Sequence, residues 1–189
     1  MNKKELEEER EIVADMQKKG SSLSSKDKEE LLRLKCRTDF VTFAKVITDL
    51  QFKSYPVHEL ICSYLQNIGD GNKDYKRSAI SLPPRTGKSM LISRIFPAWQ
   101  IGRSPTAQFI MSSYALGLST ENSRAVLDFI TSEKFEWIFP ECEINKEKCN
   151  LTALRTENGG LIKIASAGSS VTGFGYGVID DQDLPGVGL

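Results

Sequence analysis

The stretch LPPRTGKSML, residues 82–91, decides the fold. It places Gly87, Lys88 and Ser89 in succession directly before an apolar segment that is typical of a helix. Backbone N–H groups from residues 86–90 can point into one hollow where that helix begins, and the aligned peptide dipoles there favour an anionic phosphate. The stretch therefore predicts a phosphate-binding loop.

Each side chain of the loop has a chemical role in this hypothesis. Gly87 lets the backbone approach the phosphates, Lys88 bridges the β- and γ-phosphates, and the Ser89 hydroxyl is a ligand for Mg²⁺. Arg85 is placed to stabilise charge on the γ-phosphate, although a surface salt bridge would explain it equally well. The predicted nucleotide-binding set is Arg85, Thr86, Gly87, Lys88, Ser89 and Met90, and the cofactors are ATP and Mg²⁺.

One position departs from the usual G-x-x-x-x-G-K-[ST] pattern. Leu82 stands where the first glycine belongs, and Pro83 and Pro84 have no N–H group to donate. On this stretch alone, a proline-stiffened loop before an ordinary helix remains an alternative.

A second acidic motif lies downstream in VIDD, residues 178–181. An apolar strand that ends in a carboxylate can complete a magnesium site beside a phosphate loop, which makes Asp180 the predicted metal residue and Asp181 the residue that orients or deprotonates water. A solvated strand end or an Asx turn is the alternative for two adjacent aspartates. The preceding TGFGYG, residues 172–177, is interpreted as a tight turn into this strand, with phosphate contact as the lesser alternative.

The surrounding pattern alternates strands and helices. RSAISL (77–82) is predicted as a strand, residues 90–102 as a helix, AQFIMSSY (107–114) as a second strand and residues 118–130 as a helix. Residues 151–167 indicate two strands joined by a turn at Asn158, Gly159 and Gly160. The fold class is therefore an α/β P-loop NTPase with a mainly parallel sheet flanked by helices.

Residues 1–50 are predicted as a helical extension, and residues 51–189 as an ATPase domain. Residues 3–19 form a charged helix ended by Gly20, which is either a surface appendage or an arm that docks on another subunit. Ser24 and Asp27 form a capping box for a helix to about residue 34, and residues 39–50 are amphipathic. A further helix begins near Pro56, with Val57, Leu60, Ile61, Tyr64, Leu65 and Ile68 at helical period.

Composition limits the other functions. The formal net charge is +0, so any binding of nucleic acid depends on a local patch. The four cysteines lack metal-ligand spacing and are expected to be reduced and buried, and the single histidine speaks against a zinc site or a histidine-dependent triad. No signal peptide or apolar run of roughly 20 residues is present, and the expected location is the cytoplasm.

These blocks resemble the large terminase subunits of tailed bacteriophages, in the branch whose loop begins PPRxGKS. The likeness runs over residues 55–181, through residues 81–105, residues 109–140, the ENGG turn and SSVTGFGYGVIDD. The resemblance implies an ATPase of the ASCE class that moves double-stranded DNA into a capsid. It also implies a small terminase subunit, a portal protein and a homo-oligomeric ring as partners, and no membrane.

Carried over by position, the resemblance makes Lys88, Arg85 and Asp181 catalytic, with Ser89 and Asp180 at the metal. It also accounts for Leu82, because loops of this branch lack the first glycine. The family usually has IDDP where this chain has IDDQD, and the expected chain is one that stops short of the last sheet strands and the nuclease domain. The alternatives are a non-catalytic nucleotide-binding or subunit-interaction remnant, and a helicase-like ATPase.

Overall fold

The computed structural model describes residues 3–75 and 77–166, which form a mixed α/β structure. The helices are α1 (Lys3–Lys19), α2 (Ser25–Thr38), α3 (Phe40–Ile47), α4 (Pro56–Gly69), α5 (Lys88–Met90), α6 (Phe96–Arg103), α7 (Leu116–Ile130) and α8 (Glu133–Ile138). A π-helical segment, Leu91–Ile95, joins α5 to α6, and short 3-10 turns occupy Gly20–Ser22 and Lys73–Tyr75. The strands are β1 (Gln108–Ser113), β2 (Ala153–Arg155) and β3 (Leu161–Ser166).

The end of α1 and the start of α2 lie where their local signals predict. Gly20 has a φ of 49° after α1, and Ser24 and Asp27 form the predicted capping box of α2. The second helix continues to Thr38, past the predicted end near residue 34, because Asp39 both ends α2 and caps α3 by accepting a 2.8 Å hydrogen bond from the Thr42 N–H.

The first helix is attached to the rest of its own chain by charge more than by apolar contact. Leu6 is buried, whereas Ile12 is 49% exposed. Glu9 accepts a 2.7 Å ion-pair contact from Arg37 of α2, and Arg10 approaches Asp70 at the end of α4 to 2.5 Å. The helix therefore packs against the fold and leaves most of its charged surface in solvent.

One buried cluster extends from Cys36 in α2 to Ile164 in β3. Trp99 lies near its middle, with its ring centroid 5.1 Å from that of Phe40 and its indole N–H donating to the Cys36 carbonyl at 2.8 Å. Burial of such large aromatic side chains contributes strongly to stability. The α6 helix is thereby anchored on α2 and α3.

The described sheet is small and mixed, with strand order β1-β3-β2. The β1 and β3 strands are parallel, with Gln108 opposite Leu161 and Ser113 opposite Ser166, and β2 is antiparallel to β3. The predicted turn between the last two strands is confirmed, and Gly159 adopts a φ of 93° that favours glycine.

One structural prediction is wrong and another is confirmed only in part. Residues 77–82 contain no strand, because an extended segment becomes a strand only beside a hydrogen-bonding neighbour and no described strand pairs with them. The predicted apolar face of α4 is confirmed for Ile61, Leu65 and Ile68, which are buried, whereas Val57 and Leu60 are exposed, Leu60 by 69%. Among the helices that the structure describes, none is long and apolar enough to cross a bilayer.

The thiols offer a direct test of this packing. Cys36, Cys62 and Cys142 are buried, and removal from water raises the pKa of each to about 12, whereas Cys149 is only partly buried. Titration of the native chain with a thiol reagent at pH 8 is expected to label at most Cys149 quickly, and all four thiols after unfolding.

The sign of the pH dependence follows from the same shift. An unfolded thiol has a pKa of about 8.5. The raised native pKa values therefore contribute stability that is present below about pH 8.5 and is lost as the pH rises toward 12. Rapid labelling of three or more thiols in the native chain would contradict the buried positions.

Candidate functional site

The loop of residues 83–87 is a tight turn that leads into a helix. Arg85 has a φ of 64° and Gly87 a φ of 76°, so two left-handed positions flank Thr86. The Thr86 hydroxyl donates to the Pro83 carbonyl at 2.9 Å, and the Leu91 N–H donates to the Gly87 carbonyl at 3.1 Å. Because a left-handed conformation costs a residue with a Cβ about 1–2 kcal/mol, the backbone at Arg85 is held by its surroundings.

Lys88 crosses the loop instead of extending into solvent. Its ammonium Nζ donates to the Leu82 carbonyl at 2.7 Å, which closes a ring of residues from 82 to 88. Leu82 has no positive φ, and its partly buried side chain packs against the core. The position thus contributes a main-chain carbonyl and an apolar contact, and neither function requires glycine.

A cavity of about 210 Å³ adjoins the loop. It lies among the helix that follows the loop, the carboxyl half of β1 and the first turns of α7, and Ser89 lines it. Ser113 and Ser119 stand 2.5 Å apart between their hydroxyl oxygens, and Ser119 also donates to the Ala165 carbonyl at 3.0 Å. The hydroxyl network fixes α7 against the carboxyl ends of both parallel strands.

The π-helical segment places a cation near this cavity. Arg94 donates through Nε to Asn122 Oδ1 and through Nη2 to Glu121 Oε1, both at 2.8 Å. The periodicity of the sequence predicts an unbroken α-helix here and does not predict the wider π-helical turn. Pro97, which has no N–H to donate inside the predicted helix, is the signal that could have indicated it.

His58 lies against the loop from the start of α4. Its Nε2 is 2.8 Å from the Thr86 carbonyl oxygen, and the Tyr55 N–H approaches its Nδ1 at 3.2 Å. Both ring nitrogens of His58 therefore have a hydrogen-bond partner, and the partner of Nε2 is the backbone of the loop. Sequence reasoning missed this contact.

The structure brings one part of the predicted site together. The glycine, lysine, serine and methionine of the loop lie at the start of the α5 helix, in the predicted order. Arg85 is exposed and forms no ion pair with any described residue. The described residues therefore do not provide the surface salt bridge that was the alternative explanation for this arginine. Asp180, Asp181 and the 172–177 segment lie outside the described residues, as do any contacts between them and the loop.

Comparison with known proteins adds no information on this site. No protein-family model matches the chain, no curated protein matches it, and no solved structure matches it.

Proposed function

We propose that this chain is an ATPase of the P-loop class and part of a viral DNA-packaging motor, related to the large terminase subunits of tailed bacteriophages. The observation that carries the proposal is the loop itself, in which left-handed Gly87 opens a helix and the Lys88 ammonium lies across the Leu82 carbonyl. A lysine held in this position is ready to exchange one backbone oxygen for phosphate oxygens.

The donor groups fit a nucleoside triphosphate. The backbone N–H groups of residues 86–90 precede or open a helix, where they lack helical acceptors and can bind phosphate oxygens. Lys88 supplies a positive charge, and exposed Arg85 is within the same loop. These groups suit a polyanion better than a neutral ligand.

The metal half of the proposal depends on Ser89 and Asp180. Ser89 is exposed at the cavity wall, where a hydroxyl can serve as a magnesium ligand, and the sequence assigns the carboxylate of Asp180 to the same ion. Bound Mg²⁺ would neutralise charge on the β- and γ-phosphates. Asp181 would then orient or deprotonate the attacking water, and Arg85 would stabilise charge on the transferred group.

The structure also argues against a plain proline-stiffened loop. Such a loop has no need of a left-handed arginine followed by a left-handed glycine, nor of a lysine drawn back over the turn. The serine-rich cavity beside Ser89 is a further feature that an ordinary connection does not require. The proposed partners are double-stranded DNA, a small terminase subunit, a portal protein and further copies of this chain, at the procapsid in the host cytoplasm.

Calorimetric titration of the purified chain with ATP tests the proposal. We expect saturable binding with Mg²⁺ present, weaker binding with a chelator, and competition by ADP. Circular dichroism must show that the titrated sample is folded. A folded chain that does not bind ATP in the presence of Mg²⁺ would refute the proposed function.

A further inference from the structure

We propose that His58 is a positioning residue that fixes one peptide of the phosphate loop, the Thr86–Gly87 peptide, through a neutral imidazole. The inference rests on the proposed function, since it assigns a role within the same site. It concerns the backbone geometry of the loop, and no contact between His58 and the nucleotide is required.

The two hydrogen bonds assign the proton of the ring. A backbone N–H can only donate, so the Tyr55 N–H requires an unprotonated Nδ1 as its acceptor. The carbonyl of Thr86 can only accept, so Nε2 must carry the proton and donate to it at 2.8 Å. Both contacts are made together only by the neutral ring protonated at Nε2.

The loop has a reason to need this contact. Thr86 lies between the left-handed residues Arg85 and Gly87, and a peptide next to glycine can rotate with little steric resistance. In a trans peptide the C=O and N–H bonds point in opposite directions. Because His58 holds the Thr86 carbonyl toward itself, the Gly87 N–H points away from the imidazole, and this N–H is one of the proposed phosphate donors.

Packing fixes the ring as well. The imidazole centroid is 5.4 Å from that of Phe52 and 5.6 Å from that of Tyr55. A Cβ atom built at Gly87 would lie 3.4 Å from His58 Nε2, an ordinary van der Waals distance, so the imidazole lies directly beside this part of the loop. The start of α4 thereby sets the orientation of a peptide that is distant in sequence.

Three variants separate the hydrogen bonds from ring packing. His58→Phe keeps a planar ring without either hydrogen bond, His58→Gln can place an amide N–H near the Nε2 position, and His58→Asn can replace only the acceptor near Nδ1. We expect the phenylalanine and asparagine variants, which both lack the hydrogen bond to the loop, to bind ATP with Mg²⁺ about five- to tenfold more weakly, and the glutamine variant to stay within about twofold of wild type.

Binding is measured by calorimetry, and melting temperatures are recorded for all variants. Restored affinity in the glutamine variant but not in the asparagine variant would support the inference, because a merely structural histidine would not distinguish the two. Wild-type affinity in His58→Phe, or equal losses in all three variants, would overturn it while leaving the proposed function intact. If wild type itself fails to bind ATP, the proposed function fails first and the inference fails with it.

A second readout does not depend on nucleotide. His58 is the only histidine in the chain, so its imidazole nitrogens give one unambiguous set of signals in ¹⁵N nuclear magnetic resonance. We expect the neutral form protonated at Nε2 near pH 8. A ring protonated at Nδ1 would be incompatible with the Tyr55 contact and would overturn the inference.

Discussion

Lys88→Ala is expected to reduce ATP hydrolysis to a small fraction of the wild-type rate and to weaken ATP binding at least tenfold, while the chain remains folded. The ammonium group is the only lysine charge in the loop, and it already lies over the carbonyl that closes the turn. Loss of a charged group that stabilises phosphoryl transfer lowers the rate by about 10²–10³-fold. Loss of its one bond to Leu82 should lower the free energy of unfolding by only about 1 kcal/mol.

The measurements are steady-state phosphate release, calorimetric binding and thermal unfolding. Lys28→Ala is a matched control. Lys28 is exposed on α2, so its replacement removes the same charge at a position outside the loop. Turnover by Lys88→Ala at the wild-type rate would show that any ATPase activity of the sample comes from elsewhere. Unfolding of the variant would instead show that the lysine holds the loop together.

Local signals account for what the sequence predicted well. The capping box at Ser24, the glycine after α1 and the turn at Gly159 each act over a few residues, and the structure confirms all three. The parallel β1 and β3 strands flank α7 in sequence, which is the α/β pattern that the alternation of segments predicts. The fold class could therefore be predicted in outline.

Features that depend on distant partners were harder to predict. Residues 77–82 have a strand-like composition but no described neighbour with which to pair. The contact between His58 and Thr86 joins two elements far apart in the chain, and no local pattern encodes it. The sequence also does not predict that the Leu82 carbonyl accepts a hydrogen bond from Lys88, because that contact depends on the path of the loop.

Asp181→Asn is expected to leave ATP binding within about twofold of wild type and to lower turnover by about 10²–10⁴-fold, the usual contribution of general acid–base catalysis. Asp181 lies outside the described residues, so this expectation rests on its position directly after the predicted metal aspartate. An asparagine keeps the size of the side chain and removes the charge that would attract a proton from water. Binding should therefore separate from chemistry.

Two neighbouring aspartates make the experiment specific. Asp180→Asn should weaken the dependence of ATP binding on Mg²⁺, because it removes the predicted metal carboxylate. Asp183→Asn removes an equal charge two residues farther along the chain and should leave both binding and turnover close to wild type. If Asp181→Asn hydrolyses ATP normally while Asp183→Asn does not, the catalytic carboxylate belongs to Asp183, and the likeness to the terminase motif fails at the residue on which the chemistry depends.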